Sequence, residues 1–273
     1  MTPHQFLQFV PATNCGECGY PACLAFAVAV TKGGVEPTLC PYVKKDALPE
    51  ELSPKSGSDG GLDSVERGQE ERDMALVAHL KSKVEELDFQ SLAPRLGADW
   101  AAEHPDELQF IYLGRPVLLG KKTVVVAGEQ LVDPRDQILL YNYVAFGGGR
   151  VPEGNWVGME SLPNSISKIR TLATYCELRL AKRFTGRGDQ LGKLCGQAGG
   201  KPETGELSAD VGMVIPVLPH VPHLLLFWDE EPEDGFEAKV KVLFDKNVMD
   251  FLDLESLVFA AERMADRLAE LDR

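Results

Sequence analysis

Residues 13–41 read TNCGECGYPACLAFAVAVTKGGVEPTLCP, with cysteines at positions 15, 18, 23 and 40 and a proline directly after the last. The spacing C-x2-C-x4-C-x16-C-P decides how the first part of the chain folds. Four thiolates complete a tetrahedral zinc or clasp one iron–sulfur cluster. Zinc ribbons usually supply two short knuckles, and here only the first pair has that form. Three closely spaced cysteines plus a remote Cys-Pro is the pattern of a loop around three iron corners, closed by a returning segment on the fourth. The spacing therefore favours a [4Fe–4S] cluster on Cys15, Cys18, Cys23 and Cys40, with zinc as the second reading.

The residues between the cysteines agree with that reading. Gly16 and Gly19 let the backbone approach a cluster and aim N–H groups at its sulfurs. Pro21 suits the first turn of a helix over Ala22 to Thr31, which Gly33-Gly34 would end. That helix is apolar nearly all round, so it packs a small core and keeps water from the cluster. A cluster with four thiolates is negatively charged, and few basic residues surround it here. A low potential is expected, in the region of ~ −300 to −600 mV.

Moving outward, the 273-residue chain carries a net charge of −14, from 28 Lys+Arg against 42 Asp+Glu. The charge is uneven: residues 1–45 hold a net +1, which leaves −15 for the rest. An acidic chain is a poor grip for nucleic acid or an anionic membrane. No run reaches the length of a membrane-spanning helix, and Met1 to Pro11 lacks the basic and apolar regions of a secretory signal. Cytoplasmic residence is expected, where cysteines serve metal or redox chemistry more often than disulfides.

Residues 46–68, DALPEELSPKSGSDGGLDSVERG, have no hydrophobic period and are rich in Pro, Gly, Ser and Asp. They read as a flexible linker between a head, 1–45, and a body, 69–273. Helical periodicity predicts helices over Gln69–Leu87, Ser91–Glu103, Pro134–Phe146, Ser165–Phe184, Asp189–Gln197, Lys246–Leu252 and Leu254–Leu271. Strands fit Leu108–Leu113, Arg115–Leu119, Thr123–Ala127, Asp210–Val217, His223–Trp228 and Glu237–Phe244. Strands grouped between helices, without βαβ alternation, predict an α+β fold: a small, mostly helical head and a larger α+β domain with a mixed or antiparallel sheet.

TNCGECGYPACLAFAVAV followed by LCPY resembles the four-cysteine iron–sulfur module of the corrinoid iron–sulfur protein large subunit and of the B subunit of Rnf electron-transport complexes. The likeness covers about Pro3 to Lys45 and includes Gly19, Phe26-Ala27 and Cys40-Pro41. It implies that Cys15, Cys18, Cys23 and Cys40 ligate a [4Fe–4S] cluster that passes single electrons in anaerobic metabolism. It also implies a redox partner such as a corrinoid protein or a flavoprotein. The body has no D-x-H-x-x-G cobalamin motif and no second ferredoxin motif. GGKP at 199–202, PVLPHVP at 216–222, Trp228 and LFD at 243–245 instead resemble a domain of unknown function from anaerobes, over about Asp88 to Arg267, which brings no activity with it.

Other features of the body read as structure. Cys176 lies on an apolar helical face and Cys195 among small residues. His220 and His223, in LPHVPHL, read as a turn because the prolines force extended backbone and no third ligand stands at fixed spacing. Gly147-Gly148-Gly149-Arg150 follows a helix instead of opening one, so it is no phosphate loop. Lys182, Arg183, Arg187 and Lys193 form a basic cluster that fits a solvated helix end or an anionic ligand. Residues 229–237, DEEPEDGFE, hold six acids and read as a hairpin turn, with docking of a basic partner as the alternative. No catalytic constellation stands out. The function expected is electron transfer to a partner or cofactor held by the body. The alternatives are a reductase-like enzyme fed by the cluster, and a non-catalytic iron–sulfur sensor or assembly protein.

Overall fold

The computed structural model describes residues 2–13, 18–20, 22–31, 35–44, 48–49, 61–129, 131–205 and 208–273, with backbone alone over 61–70. It divides into two compact units, Met1–Glu71 and Arg72–Arg273.

Unit 1 is built on short helices. α1 (Pro3–Phe6) starts at Thr2, whose hydroxyl accepts from the Gln5 N–H while the Gln5 side chain accepts from the Thr2 N–H. This reciprocal capping box satisfies two amides that a short helix otherwise leaves bare. A 3₁₀ turn over Leu7–Phe9 follows, then α2 (Cys23–Thr31) and a second 3₁₀ turn over Pro37–Leu39. Phe6, Phe9, Val10, Phe26, Ala27, Val30, Val43 and Leu48 form one apolar core with Cys18, Cys23 and Cys40. The Phe6 and Phe26 rings meet edge-on at 5.9 Å, and Tyr20 leans on Phe26 at 5.6 Å. Gly16, Pro21 and Gly33-Gly34 lie outside the described residues.

α3 (Gly61–Glu85) begins earlier than the sequence pattern indicates. Residues 61–68, read as the end of a linker, are helical, and the rest of the linker reading falls mainly outside the described residues. From Leu80 onward α3 contributes to the core of unit 2.

Unit 2 pairs two antiparallel sheets with helices, the α+β class expected. α4 (Phe89–Leu96) is capped by Asp88 and stops well short of Glu103. Gly97 takes the left-handed conformation, with φ +60°, and the Ala98 N–H closes back on Ala93 O at 2.9 Å. A Cβ on Gly97 would stand 3.0 Å from the His220 ring and from Pro219, so the stop is fixed sterically as well. β1 (Glu107–Tyr112), β2 (Arg115–Gly120) and β3 (Val124–Val126) form the first sheet, in that order. The β1–β2 hairpin turns on Leu113-Gly114, both at positive φ, as a two-residue hairpin demands. Gly114 packs so close to the backbone of Ala198 that a Cβ would sit 2.9 Å from its carbonyl carbon.

α5 (Pro134–Phe146) runs from the Asp133 cap to left-handed Gly147, with the boundaries read from sequence. The second sheet has the order β4-β8-β7-β6-β5. Its long members are β6 (Val211–Leu218), β7 (Val221–Trp228) and β8 (Lys239–Asp245). The edge strands β4 (Trp156–Val157) and β5 (Lys201–Pro202) are too short to leave a period-2 signal. Alternation along β7 sends Val221, His223, Leu225 and Phe227 to the face that meets the main core.

The long helix expected over Ser165–Phe184 is α6 (Ile166–Leu172) and α7 (Leu178–Phe184), joined by a π-helical turn at Ala173–Glu177. Ile166, the first residue of α6, is 87% exposed, while Leu172, Cys176 and Leu180 are buried. α8 (Gly188–Gln197) follows. In place of a helix over Lys246–Leu252 there is a single 3₁₀ turn, Val248–Asp250. Asp245 Oδ1 takes the Asn247 N–H, which tightens the chain there into a turn. α9 (Leu254–Leu271), capped by Asp253, lays Leu257, Ala261, Met264, Ala265 and Leu268 into the core. No described helix is long and apolar enough to cross a membrane.

Candidate metal centre

Three of the four motif cysteines fall among the described residues, and Cys15 lies outside them. Each of the three is placed by a different local device. Cys18 precedes Gly19, whose φ of +80° is a glycine conformation. Cys23 opens α2, where the positive end of the helix dipole offsets thiolate charge. Cys40 ends the 3₁₀ turn, with its N–H donated to Pro37 O, and the Val43 N–H folds back on Cys40 O at 3.2 Å. The Lys44 N–H donates to Phe9 O at 2.9 Å, fastening the returning segment to the first turns of the unit.

The three side chains share one small core and are nearly sealed: Cys18 and Cys23 are 8% exposed and Cys40 is 4%. Every buried polar or charged residue among those described lies in unit 2: Arg115, Asp136, Ser165, His223, Asp245, Asn247 and Ser256. Among the described residues, the side-chain donors inside the core of unit 1 are therefore sulfur, set in hydrocarbon and aromatic rings. That chemistry fits a thiolate-ligated metal group and not a hard oxygen-bound ion. Among the described residues no three His, Cys, Asp or Glu side chains are grouped to hold a metal ion.

The remaining candidates are structural where the residues are described. Cys176 sits inside the π turn and Cys195 on α8, both fully buried. Burial pushes the Cys176 thiol far up and the Cys195 thiol up to about 12, so neither is poised as a nucleophile. His220 occupies the β6–β7 turn, its N–H donating to the Tyr143 hydroxyl at 3.3 Å and its ring 5.2 Å from that of Phe251. His223 belongs to β7 instead of the turn. It is wholly buried, edge-on to Phe244 at 4.9 Å, and neither ring nitrogen has a hydrogen-bond partner. Burial lowers its pKa to about 3.

The Gly147–Gly149 loop is held, not open. Arg95 donates to Gly148 O at 2.9 Å, and Arg150 clasps Asp250 at 2.9 and 3.2 Å. Arg183 and Arg187 both bind the Asp272 carboxylate, which accounts for half of the basic cluster. Residues 229–237 form the β7–β8 connection, closed by a bridge between Glu231 and Phe236.

Sequence reasoning missed the buried ionic centre of unit 2. Asp136 accepts from the Tyr112 hydroxyl at 2.8 Å and from Arg263 at 2.7 and 2.8 Å, and Arg263 also reaches Asp266 at 3.1 Å. The available signal was an arginine between Ala260 and Met264 on the apolar face of α9. Asp245 is a second such anchor: its Oδ2 accepts the N–H groups of Glu153, Gly154 and Asn155, fixing the loop before β4.

The fold defines an α+β protein whose small unit buries three cysteines in its core. Residues 88–267 match the family described as a domain of unknown function, DUF3786, and because this is more than half of the chain, the protein belongs to that family. Residues 10–42 match the family described as "Putative Fe-S cluster". Among curated proteins, the chain is 37% identical over 76 residues to the corrinoid/iron–sulfur protein large subunit of Moorella thermoacetica, covering 26% of this chain and 17% of that protein. It is 40% identical over 45 residues to the gamma 2 subunit of the acetyl-CoA decarbonylase/synthase complex of Methanosarcina thermophila, covering 16% and 10%. It is 35% identical over 60 residues to the B component of the ion-translocating oxidoreductase complex of Rhodobacter capsulatus, covering 21% and 32%. The chain thus spans a third or less of each of these relatives, all of them subunits of larger assemblies by name. No solved structure matches. These matches support an iron–sulfur cofactor in the head and an electron-transfer role for it.

Proposed function

We propose that this protein is a cytoplasmic electron carrier of anaerobic metabolism. The head, 1–45, holds one low-potential [4Fe–4S] cluster on Cys15, Cys18, Cys23 and Cys40. The body, 69–273, joined to it through residues 46–68, binds the partner or cofactor that receives the electron. The carrying observation is the match of residues 10–42 to the iron–sulfur family, supported by the burial of Cys18, Cys23 and Cys40 within the core of unit 1. Such a cluster supplies one-electron chemistry when bound. The residues of this chain do the rest. The rings of Phe6, Phe9 and Phe26 exclude water, which stabilises the cluster against hydrolysis and tunes its potential. Cys23 stands at the start of α2, where the helix dipole would offset the negative charge of a bound cluster. By resemblance the acceptor is a corrinoid protein or a flavoprotein.

The test is oxygen-free purification followed by iron and sulfide assay and EPR after reduction. About four irons and four sulfides per chain with an S = 1/2 signal are expected for this cluster type. Colourless protein holding one zinc would overturn the proposal.

A further inference from the structure

Residues 178–188, LRLAKRFTGRG, hold four cations and no acid in a chain whose net charge is −14. A merely solvated helix end would leave these side chains in water. Instead Arg179, Lys182 and Arg183 line a groove of about 390 Å³ between α7 and α9, together with Leu180, Ala265 and Ala269. Ala265 and Ala269 stand one turn apart on α9, and their short side chains make the room. Arg179 is engaged by Asp266 at 2.7 Å. Arg183, one turn on, donates from Nε to Asp272 at 2.9 Å and from Nη2 to Ala269 O at 3.2 Å. Left-handed Gly186 turns the chain, and Arg187 meets the same carboxylate at 2.5 and 3.1 Å with its guanidinium over the Phe184 ring. Lys182 has no ion pair or hydrogen bond among the described residues.

Two guanidiniums that converge on one carboxylate form an oxyanion site, and their fork fits phosphate as well. The oxyanion they hold is Asp272, the C-cap residue of α9. A helix end opens at low cost, so an outside anion can take its place, and Lys182 offers that anion a charge that Asp272 leaves unused. The apolar lining beside the cations, and a volume in the range of small-molecule sites, suit a ligand with an apolar ring. We infer that the groove binds a phosphate monoester of mononucleotide size. Its phosphate lies on Lys182, Arg183 and Arg187, its ring lies on Leu180, Ala265 and Ala269, and Asp272 is the internal competitor for the arginines. This site goes beyond the cluster reading and does not depend on it.

The experiment titrates the full chain by calorimetry with flavin mononucleotide and with adenosine monophosphate. Each is run beside its phosphate-free counterpart, riboflavin or adenosine, and beside inorganic phosphate. At least one monophosphate should bind about tenfold tighter than its counterpart and than inorganic phosphate, and should weaken as salt rises. Lys182→Ala and Arg187→Ala should each weaken that binding about tenfold, and Asp272→Asn should tighten it. Lys122→Ala, an exposed cation in the β2–β3 turn, should change nothing. Circular dichroism confirms that each variant is folded. Protein that binds neither monophosphate, binds the phosphate-free counterparts as tightly, or is indifferent to Lys182→Ala overturns the site. Inorganic phosphate bound as tightly overturns the ring contact, and an Asp272→Asn variant that binds no tighter overturns the competition. None of these outcomes touches the cluster, which stands or falls on the iron and sulfide assay.

Discussion

The cores of the two units solve the same problem with different means. Unit 2 buries dozens of apolar side chains from two sheets and several helices, and the polar groups it takes inside mostly find partners, as Asp136 does with Tyr112 and Arg263. Among its described residues unit 1 has eight buried apolar side chains, three cysteine sulfurs and the nine-residue helix α2. A helix that short is marginal in water, and a core that small rarely supports a fold without a staple. The contrast teaches that the cysteines of unit 1 stand in the place that bulk apolar packing and ionic pairing occupy in unit 2. If they carry a cluster, its binding energy is also the folding energy of the head.

The strongest way to break this comparison is to remove a ligand. Replacing Cys15, Cys18, Cys23 or Cys40 singly by Ser should lose most of the bound iron and the order of the head. Hydrogen exchange over the first 45 residues should rise toward the unfolded rate, while exchange in β6–β8 stays slow. Cys176→Ala, inside the core of unit 2, should leave iron content unchanged. Head amides that remain protected without iron would show a core that stands alone.

A smaller effect sharpens the other side. Arg263→Ala leaves the buried Asp136 carboxylate with only the Tyr112 hydroxyl. It should destabilise unit 2 by about 3–5 kcal/mol, as breaking a buried pair does, read from the urea midpoint of the body transition. The iron content of the head should not change.

The smallest effect, at pH 5, is pH dependence from His223, about 2 kcal/mol at most. Its folded pKa, about 3, lies below the ordinary value of 6.5, so the unfolded chain binds the additional proton between the two. The stability of unit 2 is therefore fully present above about pH 6.5 and falls as pH drops toward 3, by at most about 1.4 kcal/mol per pH unit from this residue. His223→Leu removes two buried nitrogens without partners and should flatten that slope and raise the midpoint at pH 5. An unchanged slope would mean that other groups set the acid limit.

What could be read in the sequence followed local chemistry. α5 was legible because Asp133, Pro134 and Gly147 mark both ends, and α9 because its apolar residues recur at helical spacing after the Asp253 cap. The four-cysteine spacing was legible because metal ligation needs few residue types at short range. What escaped depended on partners distant in sequence. The stop of α4 is enforced by Pro219 and His220 packing over Gly97. The π turn shifts the register of a helix whose pattern looked regular. The role of Arg263 depends on Asp136, which lies 127 residues earlier in the chain. Pro222 made His223 look like part of a turn, though β7 already begins at Val221.

The π turn has a consequence beyond its own helix. Along β8, Lys246 gives its amide to Asn155 O on the side of β4, and by strand parity Val242 points its amide the same way, past the end of that two-residue neighbour. The Glu177 carboxylate, at the close of the π turn, accepts that amide at 3.0 Å. A bare amide row is a template on which further chains can stack into fibres. One carboxylate at the end of the π turn thus occupies an amide that the two-residue β4 is too short to reach, where a further strand could otherwise pair.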